Sequence, residues 1–205
     1  MTKLIDLNHD IVNNMTVHPY DDVVKLYQNK FLQEDKYNNY RLEIGMHAGT
    51  HIDTPMHLTN RKTFVNEISL DRFIGNGCLL DVRNESVIKY KEKYSNIVNE
   101  NDIVLLFTNH DEKYGTREYF INHPIVDEEL AEFFVEKKIK MLGMDLPSPD
   151  KYPFKIHKIL FDNDIFIIEN MTNLSKLLSY DSFEIIAFPL KIKAEASMTR
   201  VVARI

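Results

Sequence analysis

Short apolar runs recur along the chain, and each is bounded by glycine, proline, asparagine or aspartate. Their shortness and their content of β-branched residues predict strands rather than helices. The predicted strands cover residues 78–82, 103–107, 140–144, 165–168 and 183–192. A sheet is therefore expected to form the centre of the fold.

Residues 127–138 follow a different pattern, with acidic residues at the start and two lysines at the end. Leu130, Phe133, Phe134 and Lys137 recur at helical spacing within this segment. Negative charges near the first turn and positive charges near the last turn interact favourably with the helix macrodipole. The segment is therefore predicted to be a helix.

A second helix is predicted over residues 153–161, and Asn163 marks a turn into the strand that ends at Glu169. Strands that alternate with helices are typical of α/β proteins, so we expect a mixed α/β fold. The sequence has no internal repeat, low-complexity tract or linker. We therefore expect residues 1–205 to form a single domain.

Composition narrows the range of partners. The chain has 205 residues, 44% of them apolar, a net charge of -6 and a pI near 5.8. It has no basic cluster interleaved with aromatics, so nucleic acid is not an expected partner. No stretch approaches the ~20 apolar residues of a membrane span, and the first ten residues lack the apolar core of a secretory signal. We expect a cytoplasmic protein that does not bind membranes.

The single cysteine, Cys78, lies in an apolar run next to Gly77. This setting favours a buried, inert thiol over a nucleophile. With one cysteine, no disulfide can form within the chain.

The strongest chemical signal is a cluster of histidines. Three of the eight histidines fall between His47 and His57, with Asp53 among them. Glycine, β-branched residues and proline in this stretch argue against a helix. In an extended segment, His47, Gly49, His51, Asp53 and His57 would share one face. Isolated histidines are usually ordinary surface or core residues, but this grouping favours a metal site.

A fully extended backbone could not complete that site. At about 3.3 Å per residue, His47 and His51 would lie ~13 Å apart, too far for two imidazoles to reach one ion. The segment must therefore bend, and Gly49 is the residue that permits a bend.

Imidazole and carboxylate ligands suit zinc first, with manganese as the alternative. The two oxygens of Asp53 could bridge two ions. A bound divalent cation lowers the pKa of its water and polarises a carbonyl oxygen. His57 lies one step beyond the expected ligands and could act as general acid or base.

The pattern His-x-Gly-Thr-His-x-Asp-x-Pro-x-His over residues 47–57 resembles the signature of the cyclase family, which includes bacterial kynurenine formamidases and isatin hydrolases. The likeness extends over nearly the whole chain. It includes residues 16–21, 115–120 and 143–150, together with His157 and Glu169.

The resemblance implies two metal positions that share a carboxylate: His47, His51 and Asp53 at the first, and Asp53, His157 and Glu169 at the second. It also implies that His57 is the catalytic acid or base. The fold is expected to be the swivelling β/β/α architecture, a mixed sheet core with flanking helices, assembled as a homodimer or higher oligomer. Without the resemblance, His157 would be interpreted as a helix-surface histidine and Glu169 as a strand-end carboxylate.

The chain also departs from the family pattern. Tyr20 replaces a glycine after Pro19, and near the end of the chain Ala196 and Met198 replace a glycine and a proline. We expect the backbone turns at both places to differ from those of the family. The chain has no tryptophan, so phenylalanine or tyrosine would have to stack on an aryl substrate.

Three further residues are weaker candidates for substrate contacts. Family position suggests that His18 and His110 line the pocket, and Ser148 lies in a turn between two prolines. Ser148 lacks the Gly-x-Ser-x-Gly environment of a serine nucleophile, so its expected role is a hydrogen bond to substrate or water.

The sequence therefore predicts a metal-dependent hydrolase of a small N-formyl amide such as N-formylkynurenine, with one or two ions per chain. Two alternatives remain open. The same groups could open a cyclic amide of the isatin type. The chain could also be a catalytically silent protein that uses its metal to bind a small carboxylate.

Overall fold

The computed structural model describes residues 2–205. Its strands are β1 Leu4–Asp6, β2 Lys25–Lys30, β3 Asn39–Glu43, β4 His51–Asp53, β5 Ile74–Asp81, β6 Val87–Ile88, β7 Ile103–Phe107, β8 Ile125–Val126, β9 Met141–Met144, β10 Phe166–Glu169, β11 Glu184–Pro189 and β12 Ala196–Arg204. Its α-helices are α1 Leu32–Asp35, α2 Arg117–Ile121, α3 Glu128–Glu136 and α4 Lys155–Asp162. Short 3₁₀ turns, including Pro55–His57, lie between some of these elements.

Eight of the strands form one mixed sheet, in the order β1-β12-β11-β5-β7-β9-β10-β4. Strands β5, β7, β9 and β10 run parallel, while β4 and β11 join their neighbours antiparallel. The sheet closes because β4 also pairs with β12, opposing Asp53 to Ala196 and His51 to Met198. The fold is therefore a closed mixed barrel, and β4 lies where its two ends meet.

The parallel strands are apolar on both faces because both faces are covered. In β7, Val104 and Leu106 join a core cluster that includes α3 and α4. Ile103, Leu105 and Phe107 alternate with them and join a second cluster, to which strands around the whole barrel contribute. Double coverage of this kind explains why the strands appear in the sequence as continuous apolar runs.

Helices α3 and α4 pack against each other and cover the outer face of the parallel strands. Leu130 and Phe134 of α3, with Leu160 and Phe161 of α4, are fully buried in that layer. The side chain of Asp127 caps α3 by accepting a hydrogen bond from the backbone N–H of Glu129. Packing against α3 and the sheet fixes the position of α4, which supplies a residue to the site described below.

The predicted mixed α/β class is confirmed, and each predicted strand and helix has a counterpart within a few residues. One predicted helix begins at Lys155 rather than at residue 153, because residues 152–154 form a turn in which Phe154 has a left-handed φ of 59°.

The largest element that the sequence analysis did not predict is β12. The backbone bends up to Glu195, and the strand then runs from Ala196 through both substituted positions, Ala196 and Met198. Tyr20 lies in a turn with its side chain exposed.

Strands β2 and β3 form a separate two-stranded sheet outside the barrel. Every residue of β3 is exposed. Tyr27, Tyr40 and Leu42 present apolar surface on this hairpin, and Phe31 does so just beyond the end of β2. The hairpin lies close in sequence to the histidine-rich segment 47–57, because β3 ends at Glu43, a few residues before His47.

Within residues 2–205, none of the helices combines the length and the apolar character needed to cross a bilayer.

Candidate metal centre

The segment from His47 to His57 is bent, not extended over its whole length. Only His51–Asp53 forms a strand, β4, and the residues before it form turns. Gly49 has a φ of +69°. The prediction of one continuous extended face was therefore wrong, whereas the predicted bend at Gly49 is present. Because the chain turns at Gly49, His47 returns toward the side chains of β4.

Replacing Gly49 with alanine should destabilise the bend and weaken metal binding. The left-handed backbone costs a Cβ-bearing residue about 1–2 kcal/mol, and the new Cβ would lie 3.4 Å from the methyl group of Met15. Gly115 provides the matched control, because it has a φ of +87° and nothing within 4 Å of a new Cβ. Thermal unfolding and zinc titration of both variants measure the effect. Equal zinc affinity in the two would contradict a role for Gly49 in placing the histidines.

Asp53 lies at the centre of the cluster. Its Oδ1 is 2.9 Å from Nδ1 of His47 and 3.3 Å from Nε2 of His51. The rings of His47 and His51 meet edge to face with their centroids 5.1 Å apart. His57 follows on the 3₁₀ turn, and its ring centroid is 4.3 Å from that of His47. The four residues of the sequence signature therefore converge, as predicted.

The remaining two predicted ligands approach from another part of the barrel. Glu169 is the last residue of β10, which pairs directly with β4 so that Glu169 opposes His51. Its Oε2 lies 3.4 Å from Nε2 of His51, and its Oε1 lies 3.4 Å from Nε2 of His157 on α4. The structure therefore brings His157 and Glu169 to the cluster, and His157 is buried instead of lying on the helix surface.

The donor atoms fit a divalent cation. Nε2 of His51, Oδ1 of Asp53 and Oε1 of Glu169 are buried and lie 2.9–3.4 Å from other nitrogen or oxygen atoms of the cluster, but none of these contacts has the geometry of a hydrogen bond. A buried polar atom that lacks a partner is costly, and a charged one more so. Imidazole nitrogens and carboxylate oxygens are ligands that zinc and manganese accept, and a cation between them would satisfy all three atoms at once.

Two groups of three donors are close enough to share an ion. One consists of His47, Asp53 and His57, and the other of His51, Asp53 and Glu169; within each group the donor atoms lie within 4.8 Å of one another. These groups differ from the ligand sets expected from the family resemblance, and His157 belongs to neither, although Asp53 belongs to both. The bridging role of Asp53 stays a prediction. His57 lies near enough to the other donors to bind the ion or to act as a proton-transfer group.

The electrostatics of the cluster follow from burial and close pairing. Burial opposes protonation of His51, but Asp53 and Glu169 more than offset it and raise its pKa well above the ordinary value. The same pairing holds the pKa of Asp53 well below its ordinary value despite burial. His57 differs, because burial outweighs its carboxylate neighbours and lowers its pKa. A neutral His57 imidazole is the form that can accept a proton.

Each of the other three histidines has an acceptor for its second ring nitrogen, which points away from the cluster. Nδ1 of His51 donates to the carbonyl of Gly49 at 2.9 Å. Nε2 of His47 lies 3.3 Å from Oε1 of Glu195, and Nδ1 of His157 lies 2.6 Å from Oδ1 of Asp150. Acceptors in these positions fix which nitrogen carries the proton and leave the other free for a metal.

Sequence reasoning missed these acceptors. Asp150 lies within residues 143–150, one of the stretches that resemble the family. An aspartate shortly before a predicted helix is also a common capping residue, and this signal could have identified it. For Glu195, the only available signal was its position directly before the substituted residues Ala196 and Met198. Asn170, whose Nδ2 donates to the carbonyl of Gly49 at 3.0 Å, had no signal in the sequence.

The three weaker candidates bond outside the cluster. Nε2 of His110 contacts the carbonyl of Tyr119 at 3.0 Å, and the two rings stack. Oγ of Ser148 accepts a 3.4 Å hydrogen bond from the backbone N–H of Asp150. His18 is exposed, with its ring beside that of Tyr20. Their substrate contacts stay predictions.

Cys78 in β5 is half-buried and not fully buried as predicted, and the burial that it has raises the pKa of its thiol to about 12. Because the thiolate is the reactive form, this shift agrees with the inert role predicted for Cys78.

The sequence matches known proteins over its full length. A model of the cyclase family, described as "Putative cyclase", matches residues 5–151. Kynurenine formamidase of Bacillus cereus is 31% identical over 210 residues, which cover 99% of this chain and 98% of that protein. Kynurenine formamidase of Bacillus anthracis is also 31% identical, over 209 residues and with the same coverage. The family resemblance seen in the sequence is confirmed.

Solved structures show the same fold. An isatin hydrolase bound to the product analogue thioisatinate superimposes with a TM-score of 0.89 at 19% identity, over 100% of this chain and 92% of that one. A potential metal-dependent hydrolase with cyclase activity gives a TM-score of 0.81 at 23% identity, over 100% and 98%. At these identities the likeness concerns the fold alone, and it confirms the predicted architecture.

Proposed function

The chain belongs to the cyclase family, and on this premise we propose that it is a metal-dependent hydrolase of a small N-formyl amide, with N-formylkynurenine as the leading substrate. The full-length relationship to kynurenine formamidases makes it a hydrolase of amide C–N bonds. The choice of substrate and the dependence on metal are the parts proposed here.

One observation carries the proposal. Buried nitrogen and oxygen atoms of His51, Asp53 and Glu169 converge without hydrogen-bond partners, next to His47 and His57. Burying three such atoms in one place is costly, and a cation that satisfies all three would remove that cost. Zinc is the first candidate for that group and manganese the second, because the donors are imidazoles and carboxylates.

His47, His51 and Asp53 would hold one ion, and Asp53, His157 and Glu169 a second. When bound, the metal supplies a water of lowered pKa and polarises the carbonyl of the scissile amide. The protein's own groups do the rest. Asp53 and Glu169, both buried, would supply negative charge that offsets the charge of the cation.

His57 is proposed to move the proton. Its ring lies beside the ring of His47 and 6.4 Å, centroid to centroid, from that of His157, so it is near one expected ligand of each proposed metal position. A neutral imidazole there can take a proton from water and return it to the nitrogen of the departing amine. That transfer lets an arylamine leave as a neutral molecule.

The test is turnover after metal removal and reconstitution. Protein dialysed against chelator, then loaded with zinc or manganese, is assayed with N-formylkynurenine, isatin and simple formamides. We expect activity on N-formylkynurenine to be lost with the metal and restored by it. Equal activity in the metal-free protein would contradict the mechanism, and loss of preference for N-formylkynurenine would contradict the substrate.

The same assay separates the alternatives. Faster opening of isatin than of any formamide would indicate a cyclic amide hydrolase. Zinc binding without turnover of any substrate would indicate a silent binding protein. The proximity of His57 to the cluster favours an enzyme, because passive binding of a carboxylate to the metal requires no proton-transfer group.

We also propose that the chain forms a homodimer or higher homo-oligomer. The hairpin of β2 and β3 lies outside the barrel, and an isolated two-stranded sheet is marginally stable in water. A second copy that packs on its exposed Tyr27, Tyr40 and Leu42 would bury this surface. Light scattering on a sizing column should give twice the chain mass of 24.1 kDa or a higher multiple. A single chain mass at all concentrations would contradict the proposal.

A further inference from the structure

We propose that Asp150 is a positioning residue that sets the tautomer of His157 and thereby raises the affinity of the second metal position. The inference rests on the proposed metal site and adds to it a residue that the sequence pattern did not assign. Asp150 lies outside the group of converging donors and would not touch the metal or the substrate.

The contacts of Asp150 are short and buried. Its side chain is 8% exposed, and its Oδ1 lies 2.6 Å from Nδ1 of His157. Its other oxygen, Oδ2, accepts hydrogen bonds from the backbone N–H groups of Ile156 at 2.6 Å and His157 at 3.2 Å. The carboxylate is therefore fixed to the first turn of α4, and one oxygen is directed at the ring of His157.

This arrangement determines which nitrogen of His157 carries the proton. A carboxylate can only accept, so Nδ1 must donate to it. Nε2, on the opposite side of the ring and 3.4 Å from Oε1 of Glu169, is then the nitrogen whose lone pair would be available to a metal. That is the nitrogen through which His157 would hold a metal. Acceptors of this kind typically raise metal affinity by about 10- to 100-fold.

The other two ligand histidines have weaker acceptors. His51 donates to a neutral backbone carbonyl, that of Gly49. His47 faces Glu195, whose side chain is 36% exposed and therefore solvated. A charged acceptor in a buried setting forms the stronger hydrogen bond. Among the three, the control exerted by Asp150 over His157 should therefore have the largest effect.

The variant Asp150→Asn tests the tautomer directly. Asparagine has nearly the same shape but only one acceptor oxygen. Two backbone N–H groups hold that oxygen, so the amide NH₂ would point at Nδ1 of His157. Nδ1 would then have to accept, and the ring proton would move to Nε2, which faces Glu169. The variant keeps the link to α4 while reversing the tautomer.

The matched control is Asp127→Asn, the same change at the cap of α3, which lies on another helix. Zinc affinity is measured by chelator competition for the wild type, both variants and His157→Ala, which defines the part of binding that depends on His157. We expect Asp150→Asn to weaken that part about 10- to 100-fold and Asp127→Asn to leave it unchanged. Wild-type affinity in Asp150→Asn, or no effect of His157→Ala, would overturn the inference.

A measurement on the wild type covers the case in which Asp150→Asn does not fold. Long-range ¹H–¹⁵N spectra of the zinc-loaded protein report the protonation of each imidazole nitrogen, and His157→Gln assigns the signal. We expect a protonated Nδ1 and a metal-bound Nε2 for His157. The reverse pattern would overturn the role of Asp150. If the wild type binds no zinc, the proposed metal site itself fails, and this outcome is distinct from the others.

Discussion

Replacing Asp53 with alanine is expected to remove bound metal from both positions and to lower kcat/KM by about 10³-fold. Asp53 belongs to both proposed ligand sets and to both close groups of donors, so its loss would leave each of them with only two ligands. A metal contributes several kcal/mol to transition-state stabilisation, and ~4 kcal/mol corresponds to about three factors of ten in rate. Elemental analysis measures the metal, and steady-state kinetics measure the rate.

The same variant should lose the stabilising effect of metal. A ligand that binds only the folded state adds about 2.7 kcal/mol at 100 times its dissociation constant, so chelator should lower the melting temperature of the wild type but not of Asp53→Ala. Asp102→Ala is the control, because it also removes a buried carboxylate, one that accepts from the backbone N–H of Asn99 in another region. Unchanged metal content in Asp53→Ala would contradict the bridging role.

Replacing His57 with alanine is expected to lower kcat by about 10²- to 10⁴-fold, the usual contribution of a general acid or base, while the metal content stays at the wild-type level. The structure makes this a demanding test, because a nitrogen of His57 lies within 4.8 Å of donor atoms of His47 and Asp53. If His57 is a metal ligand, its replacement should release the metal as well as lower activity. Retained metal with lost turnover would identify His57 as the proton-transfer group.

His123→Ala serves as the control for that experiment. His123 is half-buried like His57 and hydrogen-bonds through Nδ1 to the carbonyl of Pro124, and it belongs to neither close group of donors. It should retain both metal and activity. Loss of metal along with activity in His57→Ala would reassign His57 as a ligand.

The sequence predicted the elements whose signal is local. The apolar runs around Leu105 and Ile167 identified strands because both faces of the parallel sheet are buried, and the charge pattern around Phe133 identified α3. Strand β12 was not predicted because Met198 is the only large apolar residue among residues 196–200, so this part of the strand has no apolar run. Its pairing with β1, β4 and β11 determines its conformation. Closure of the barrel is a long-range property that periodicity along the chain does not encode.

The site shows the same difference between residues with a local sequence signal and residues that only long-range contacts bring together. His47, His51, Asp53 and His57 fall within one short segment, so their spacing alone indicated a metal site. His157 and Glu169 were found through the family resemblance, because nothing in the local sequence joins them to that segment. Glu195 reaches His47 from 148 residues away. Such contacts depend on how the barrel closes and were not predictable from residue spacing.

The most direct test of the metal centre is anomalous X-ray scattering from crystals soaked in zinc, recorded on both sides of the zinc absorption edge. We predict a strong anomalous peak bounded by His47, His51 and Asp53, with a second peak, where two ions bind, between Asp53, His157 and Glu169. Density that lacks any peak within bonding distance of Asp53, in crystals that hold zinc elsewhere, would contradict the metal-dependent mechanism.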